Sequence, residues 1–177
     1  MNEAVEAASR LLGQAGAVID DVSLPDDFDL LRHAVSLVSA EAVAMRADAG
    51  RSTDPLKTTG VEFVPATFFV QARRIRTWMM ARLRPMFSEY DGLISATAPG
   101  QAPRGLHTTG DPVLLDPWTF LGFPAITLNA GLSPDGLPLG LQIVGGSKAD
   151  YQLLQTGAWC EQVLGLLPPP PLVSGMA

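Results

Sequence analysis

The chain has 177 residues, 47% of them hydrophobic and 17% charged, with a net charge of −6. That length suits one domain with a sizeable core, since a chain near 150 residues buries about 68–70% of its unfolded surface. The acidic balance excludes a basic nucleic-acid binder, and the single cysteine, Cys160, excludes an intramolecular disulfide framework and a thiolate zinc site.

Only Lys57 and Lys148 are lysines, whereas ten residues are arginines. No run approaches the ~20 apolar residues of a membrane helix. Acids at Glu3 and Glu6 replace the bases of a secretory leader. A soluble cytoplasmic protein in a reducing compartment is the expectation, with no nucleic-acid partner and no membrane.

Val5, Ala8, Leu11, Leu12 and Ala15 recur at helical spacing until Gly13 and Gly16 interrupt them. Ala17–Ile19 with Val22–Leu24 reads as a short strand that Pro25 stops. Asp26 or Asp27 is placed to cap a second helix over residues 28–47, with Leu31, Val35, Val38, Ala42 and Met45 on one side. Residues 51–59 read as a polar loop. A longer helix is predicted over 65–87, burying Phe68, Phe69, Ala72, Ile75, Met79, Leu83 and Phe87 and turning its arginines away.

Residues 91–96 are a short apolar segment before a Pro/Gly-rich loop over 98–117. Residues 123–128 suit a strand buried on both faces. The turn cluster at 131–136 and the apolar run at 139–144 make it half of a hairpin. Ser147 or Asp150 is placed to cap a last helix with Leu153, Leu154, Ala158 and Val163 inward. Pro168–Pro171 then ends regular structure. The alternation of elements predicts an α/β fold, organised as residues 1–165 and a Pro-rich tail over 166–177.

Local chemistry is sparse. There is no nucleophile elbow of the G-x-S-x-G type. His33 falls mid-helix and His107 in a loop, neither beside a candidate nucleophile. Cys160 reads as a small buried hydrophobe, and Lys57 and Lys148 as exposed solubilising residues. Gly145-Gly146-Ser147-Lys148 lacks the spacing of a phosphate loop and suits a strand-to-helix turn. No metal or organic cofactor is implied.

The run Phe123-Pro124-Ala125-Ile126-Thr127-Leu128, then Asp135-Gly136-Leu137-Pro138-Leu139-Gly140-Leu141-Gln142-Ile143-Val144-Gly145, then Asp150 through Leu153-Leu154 to Glu161, resembles the C-terminal signature of the amidase signature family. Tyr90-Asp91-Gly92-Leu93-Ile94 and Ala102-Pro103 resemble that family's strand and loop leading to the active-site region. Thr109-Gly110-Asp111-Pro112 with Pro117-Trp118-Thr119 resembles bacterial amidases and relatives of the glutamyl-tRNA amidotransferase A subunit. Leu11–Pro25 also fits, so the resemblance covers residues 1–164. Ala96 and Asn129 depart from it, standing where the family often has proline.

The resemblance implies the C-terminal part of an α/β/α fold with a mixed sheet flanked by helices, and hydrolysis of carbon–nitrogen amide bonds. It implies a Ser nucleophile, a bridging cis-Ser and a Lys base in N-terminal segments that have no counterpart here. A neutral Lys must take the nucleophile's proton through the bridging Ser while Gly-rich N–H groups hold the oxyanion. The chain alone is therefore expected to be inactive, with no catalytic residue of its own.

The resemblance places Thr97, Trp118 and Thr119 near the substrate's acyl or substituent pocket, with core filling and helix capping as the plainer roles of Trp118 and Thr119. It makes Gly136, Gly140 and Gln142 structural motif residues. The partner is a small-molecule amide, bound when the missing half is present. Exposed apolar surface could also drive homo-oligomers, or serve a non-catalytic binding or assembly module built on the same fold.

Overall fold

A computed structural model describes residues 2–31, 34 and 65–167. Most of the second predicted helix, the 51–59 loop, His33, Lys57 and the 168–171 proline run lie outside the described residues. Among the described residues eight elements follow in chain order: α1 (Asn2–Gln14), α2 (Ala66–Leu83), α3 (Met86–Glu89), β1 (Leu93–Ala96), α4 (Asp116–Leu121), β2 (Ala125–Leu132), β3 (Pro138–Val144) and α5 (Asp150–Leu164).

The strands form one sheet in the order β1-β3-β2, and both pairings are antiparallel. β2 and β3 make the expected hairpin. Its turn closes through the Ser133 N–H on the Leu137 carbonyl at 2.8 Å and the Gly136 N–H on the Ser133 carbonyl at 2.9 Å. Gly136 supplies the positive φ of +76° that this turn requires.

Side chains alternate across a sheet, so β3 feeds two different cores. Leu141 and Ile143 point to one face, where they pack with Ala8 and Leu12 of α1 and Leu153 and Cys160 of α5. Val144 points to the other and joins Leu93, Met79 and Leu83 of α2, and Trp118, Phe120 and Leu121 of α4. Helices on both faces of one sheet give the α/β class the sequence predicts.

Several local expectations are corrected. Residues 17–25 form no strand: they belong to no ladder, and Val18 is 85% exposed. The helix predicted over 65–87 breaks after Leu83, because Pro85 has no N–H to continue it, and resumes as the single turn α3. Phe68 faces solvent, while Arg76 is drawn inward by its bond from Nη2 to the Leu121 carbonyl at 3.1 Å.

Asp27 does not cap the turn that follows it. Its Oδ1 lies 3.6 Å from Arg82 Nε, and the Phe28 and Leu31 N–H groups bond instead to the Pro25 and Phe28 carbonyls. Neither Ser147 nor Asp150 caps α5, whose N-cap position is Ala149 without a side-chain bond. The inward face of α5 is Leu153, Gly157 and Cys160, while Leu154 is exposed. Gly157 shifts that face, since a Cβ there would run into Ile126 Cδ1 of β2. β2 is not buried on both sides, as Ala125, Thr127 and Leu132 are exposed.

Asn129 shapes the irregular end of β2. Its Oδ1 accepts from the Gly131 N–H at 2.7 Å, and its Nδ2 donates to the Gly165 carbonyl at 3.3 Å. The ladder shifts register between Asn129 and Leu132, with Gly131 at φ +101°. A side-chain turn thus sets backbone shape at a position where the amidase pattern often uses proline.

Leu141 is fully buried on the central strand. Leu141→Ala is expected to cost about 2–5 kcal/mol, read as a lower urea midpoint. Cys160 is 4% exposed and burial pushes its thiol up from the ordinary value. Iodoacetamide at mildly alkaline pH should therefore label the folded chain far more slowly than the urea-unfolded chain, as mass spectrometry would show; equal rates would contradict the packing.

Candidate functional site

The two sheet faces differ in chemistry. On the face that carries Leu93 and Val144, the next row across the strands is Ser95, Gln142 and Thr127, which the register sets side by side. Beyond it lie Thr97, Gly140 and Asn129. Five polar side chains around Gly140, four on the strands and Thr97 just past β1, thus make a polar patch at one end of the sheet.

Gln142 is wholly buried and organises the first row. Its Nε2 donates to Ser95 Oγ and to the Leu114 carbonyl, each at 3.2 Å. The second bond ties the end of the long loop to the centre of the sheet. Gln142 Oε1 is buried without a hydrogen-bond partner, an arrangement that normally costs about 1–3 kcal/mol. Ser95 Oγ itself donates to the Ala96 carbonyl at 3.3 Å.

The second row is closed by Gly140. The Thr97 N–H donates to the Gly140 carbonyl at 3.0 Å, and Thr97 Oγ1 reaches Thr127 Oγ1 at 3.3 Å. A Cβ on residue 140 would lie 2.7 Å from Thr97 Oγ1 and 2.8 Å from Thr127 Cγ2. The two threonines can meet only because the strand between them carries no side chain there.

The loop before α4 is fastened at several points. Gln101 Nε2 donates to Asp135 Oδ2 of the hairpin turn at 2.6 Å, and the Val113 N–H donates to Asp111 Oδ1 at 3.0 Å. Partial burial, and then the neighbouring Asp111 charge, push the Asp116 carboxyl up at the start of α4. Gly122 ends α4 in the left-handed region, its N–H on the Trp118 carbonyl at 2.9 Å.

The sequence-predicted residues separate into two groups. Thr97, Gly140 and Gln142 come together on the polar face. Trp118 and Thr119 sit on α4: Trp118 is buried between Phe28 and Phe123, with ring centroids 5.3 and 6.3 Å away, and Thr119 is exposed with its hydroxyl on the Leu115 carbonyl at 3.2 Å. Gly136 serves the hairpin turn. Ser95 and Thr127 are the members that motif reading missed; alternation from Thr97 points to Ser95, and Thr127 joins through its pairing with Gln142.

Three hydroxyls and two amides make this a hydrogen-bonding surface. Among the described residues, none of the Ser95, Thr97 or Thr127 hydroxyls exchanges a hydrogen bond with a Lys or His side chain. The described residues also contain no cluster of three or more His, Cys, Asp or Glu that could hold a metal, and no helix long and apolar enough to cross a membrane.

Gly140→Ala is expected to lower stability by about 1–3 kcal/mol through overpacking. Adding Thr97→Ala and Thr127→Ser removes the colliding atoms, so the triple variant should regain part of that loss in urea unfolding. No recovery would place the collision elsewhere.

The family model described as Amidase matches residues 62–154, more than half of the chain. The A subunit of the glutamyl-tRNA(Gln) amidotransferase of Halothermothrix orenii is 26% identical over 203 aligned positions, which take in 94% of this chain and 43% of that protein. Its counterpart from an Exiguobacterium species is 34% identical over 105 positions, 55% of this chain and 22% of its own length. In three dimensions the fold matches a crystal structure of an amidase with a TM-score of 0.78 at 22% identity, covering 93% of this chain and 42% of the other. Fatty acid amide hydrolase matches with a TM-score of 0.72 at 15% identity, covering 93% of this chain and 37% of its own. The chain therefore spans less than half the length of these relatives. By the family-model match over residues 62–154, it belongs to the amidase family.

Proposed function

We propose that this chain is the C-terminal part of a hydrolase of carbon–nitrogen amide bonds and that it is inactive alone. One observation carries the reading: the solved amidase covers 93% of this chain but contributes only 42% of its own length. Nucleophilic attack on an amide needs a hydroxyl with a base beside it and donors for the oxyanion. The hydroxyls of the polar face have no such base among the described residues. The Ser nucleophile, the bridging cis-Ser and the Lys base belong to polypeptide outside this chain.

This part supplies a wall of the substrate pocket. Thr97 and Thr119 present hydroxyls toward a polar substituent, and Trp118 backs an apolar one. Gly136, Gly140 and Gln142 hold the strands and the loop in register. The substrate is a small-molecule amide, and the setting is cytoplasmic. The second reading, a non-catalytic binding or assembly module, draws on the exposed apolar residues of the 17–24 segment.

Incubation of the purified chain with aryl amides and aryl esters is expected to give no turnover above buffer. Turnover that disappears on Ser95→Ala or Lys148→Ala would overturn the proposal. Fusion behind the segment of the Halothermothrix orenii protein that the chain does not align with should restore aryl-amide hydrolysis. A correctly folded fusion without activity would favour the binding module.

A further inference from the structure

Among the described residues β1 lies at the edge of the sheet, paired only with β3. The Thr97 N–H points to β3. Backbone direction alternates along a strand, so Leu93 and Ser95 also face β3, while the main-chain groups of Ile94 and Ala96 face the open side. An edge of this kind is a template for another strand.

Across that edge runs the 17–24 segment. It is free of ladder bonds among the described residues, yet its Val18, Ile19, Val22 and Leu24 are all exposed, Val18 at 85%. The segment does not close onto β1. A hollow of about 440 Å³ lies between them, lined by Val18, Ile19 and Val22 on one side and Gly92, Leu93 and Ile94 on the other. Tyr90 and Asp20 both line the hollow near one end. Glu6, Asp20 and Asp21 border the hollow against a single cation, Arg10.

The geometry points to a strand-shaped slot between β1 and residues 18–22, filled by one extended, apolar, basic-flanked segment from the portion of the amidase fold that this chain does not span. The inference rests on the functional reading above and names where the missing part docks. Three features select that occupant. Among the described residues, the outward-facing Ile94 main-chain groups and the Ala96 N–H call for a backbone partner, the Ala96 carbonyl already accepting from Ser95 Oγ. The apolar walls call for β-branched or other aliphatic side chains. The acidic border calls for Lys or Arg at the segment's ends. More than half of the relatives' length is available to provide such a segment.

Amide hydrogen exchange on the full chain tests this, with the acetylated and amidated peptide Lys-Val-Thr-Val-Thr-Val-Lys as probe. Alone, the Ile94 and Ala96 amides and those of residues 18–22 should exchange quickly. Excess peptide should slow both sets together by about tenfold or more. A peptide N-methylated at alternate residues should have no effect. Val18→Asp should weaken the protection while leaving the fold intact, because Val18 makes little packing contact.

Protection of Ile94 and Ala96 without residues 18–22 would mean simple edge pairing and would overturn the slot. Protection without peptide that grows with protein concentration would mean a second copy and would overturn it too. Absence of any protection would do the same. Aryl-amide turnover by the chain alone would instead sink the functional reading and leave an exchange result standing.

Discussion

Among the described strands β3 is the one with a neighbour on each side, and the described structure takes its position from it. Its odd-numbered residues Leu141 and Ile143 build the core beneath α1 and α5, and its even-numbered residues carry the polar row and then Val144. A one-residue slip would send Gln142 into an apolar core and Leu141 onto the polar face. Two features lock the register. Gln142 can donate to Ser95 and Leu114 only from its present position, and Gly140 alone leaves space for Thr97 to meet Thr127. The glycine and glutamine of the motif thus fix the strand's register.

Element identity was largely legible in the sequence because it depends on local period. Helical spacing marks α1, α2 and α5, and the turn cluster around Gly136 marks the hairpin. Boundaries and faces depended on tertiary neighbours. Pro85 ends α2 by its own covalent structure, yet the apolar pattern runs on to Phe87, which packs edge-on against Phe123 at 5.1 Å from the far side of the break. The inward face of α5 could not be read from hydropathy, since Gly157 faces β2 while Leu154 faces solvent. The 17–24 segment has the composition of a strand, but composition supplies no ladder partner.

The polar face was half legible. Motif resemblance singled out Thr97, Gly140 and Gln142, and the sheet joins them. It also singled out Trp118 and Thr119, which α4 turns to opposite surroundings, one into an aromatic cluster and one to solvent. Ser95 and Thr127 escaped notice because each is an isolated small polar residue in an apolar run. Only pairing with Gln142 shows that they share its face.

Scarcity of lysine acquires a physical meaning against this arrangement. Ser and Thr hydroxyls are weak nucleophiles until a base removes the proton. Lys148, the described lysine, sits in the exposed turn before α5 at φ +63°, across the sheet's length from the Thr97–Gly140 end of the patch. β3 runs from Pro138 to Val144, so Gly140 and Lys148 are joined by the strand's own rise of about 3.4 Å per residue plus a turn. A lysine there cannot serve the hydroxyl pair at Gly140 without unravelling the strand that holds the pair together. Among the described residues the face is thus built to hydrogen-bond, and none of its hydroxyls exchanges a bond with a Lys or His side chain.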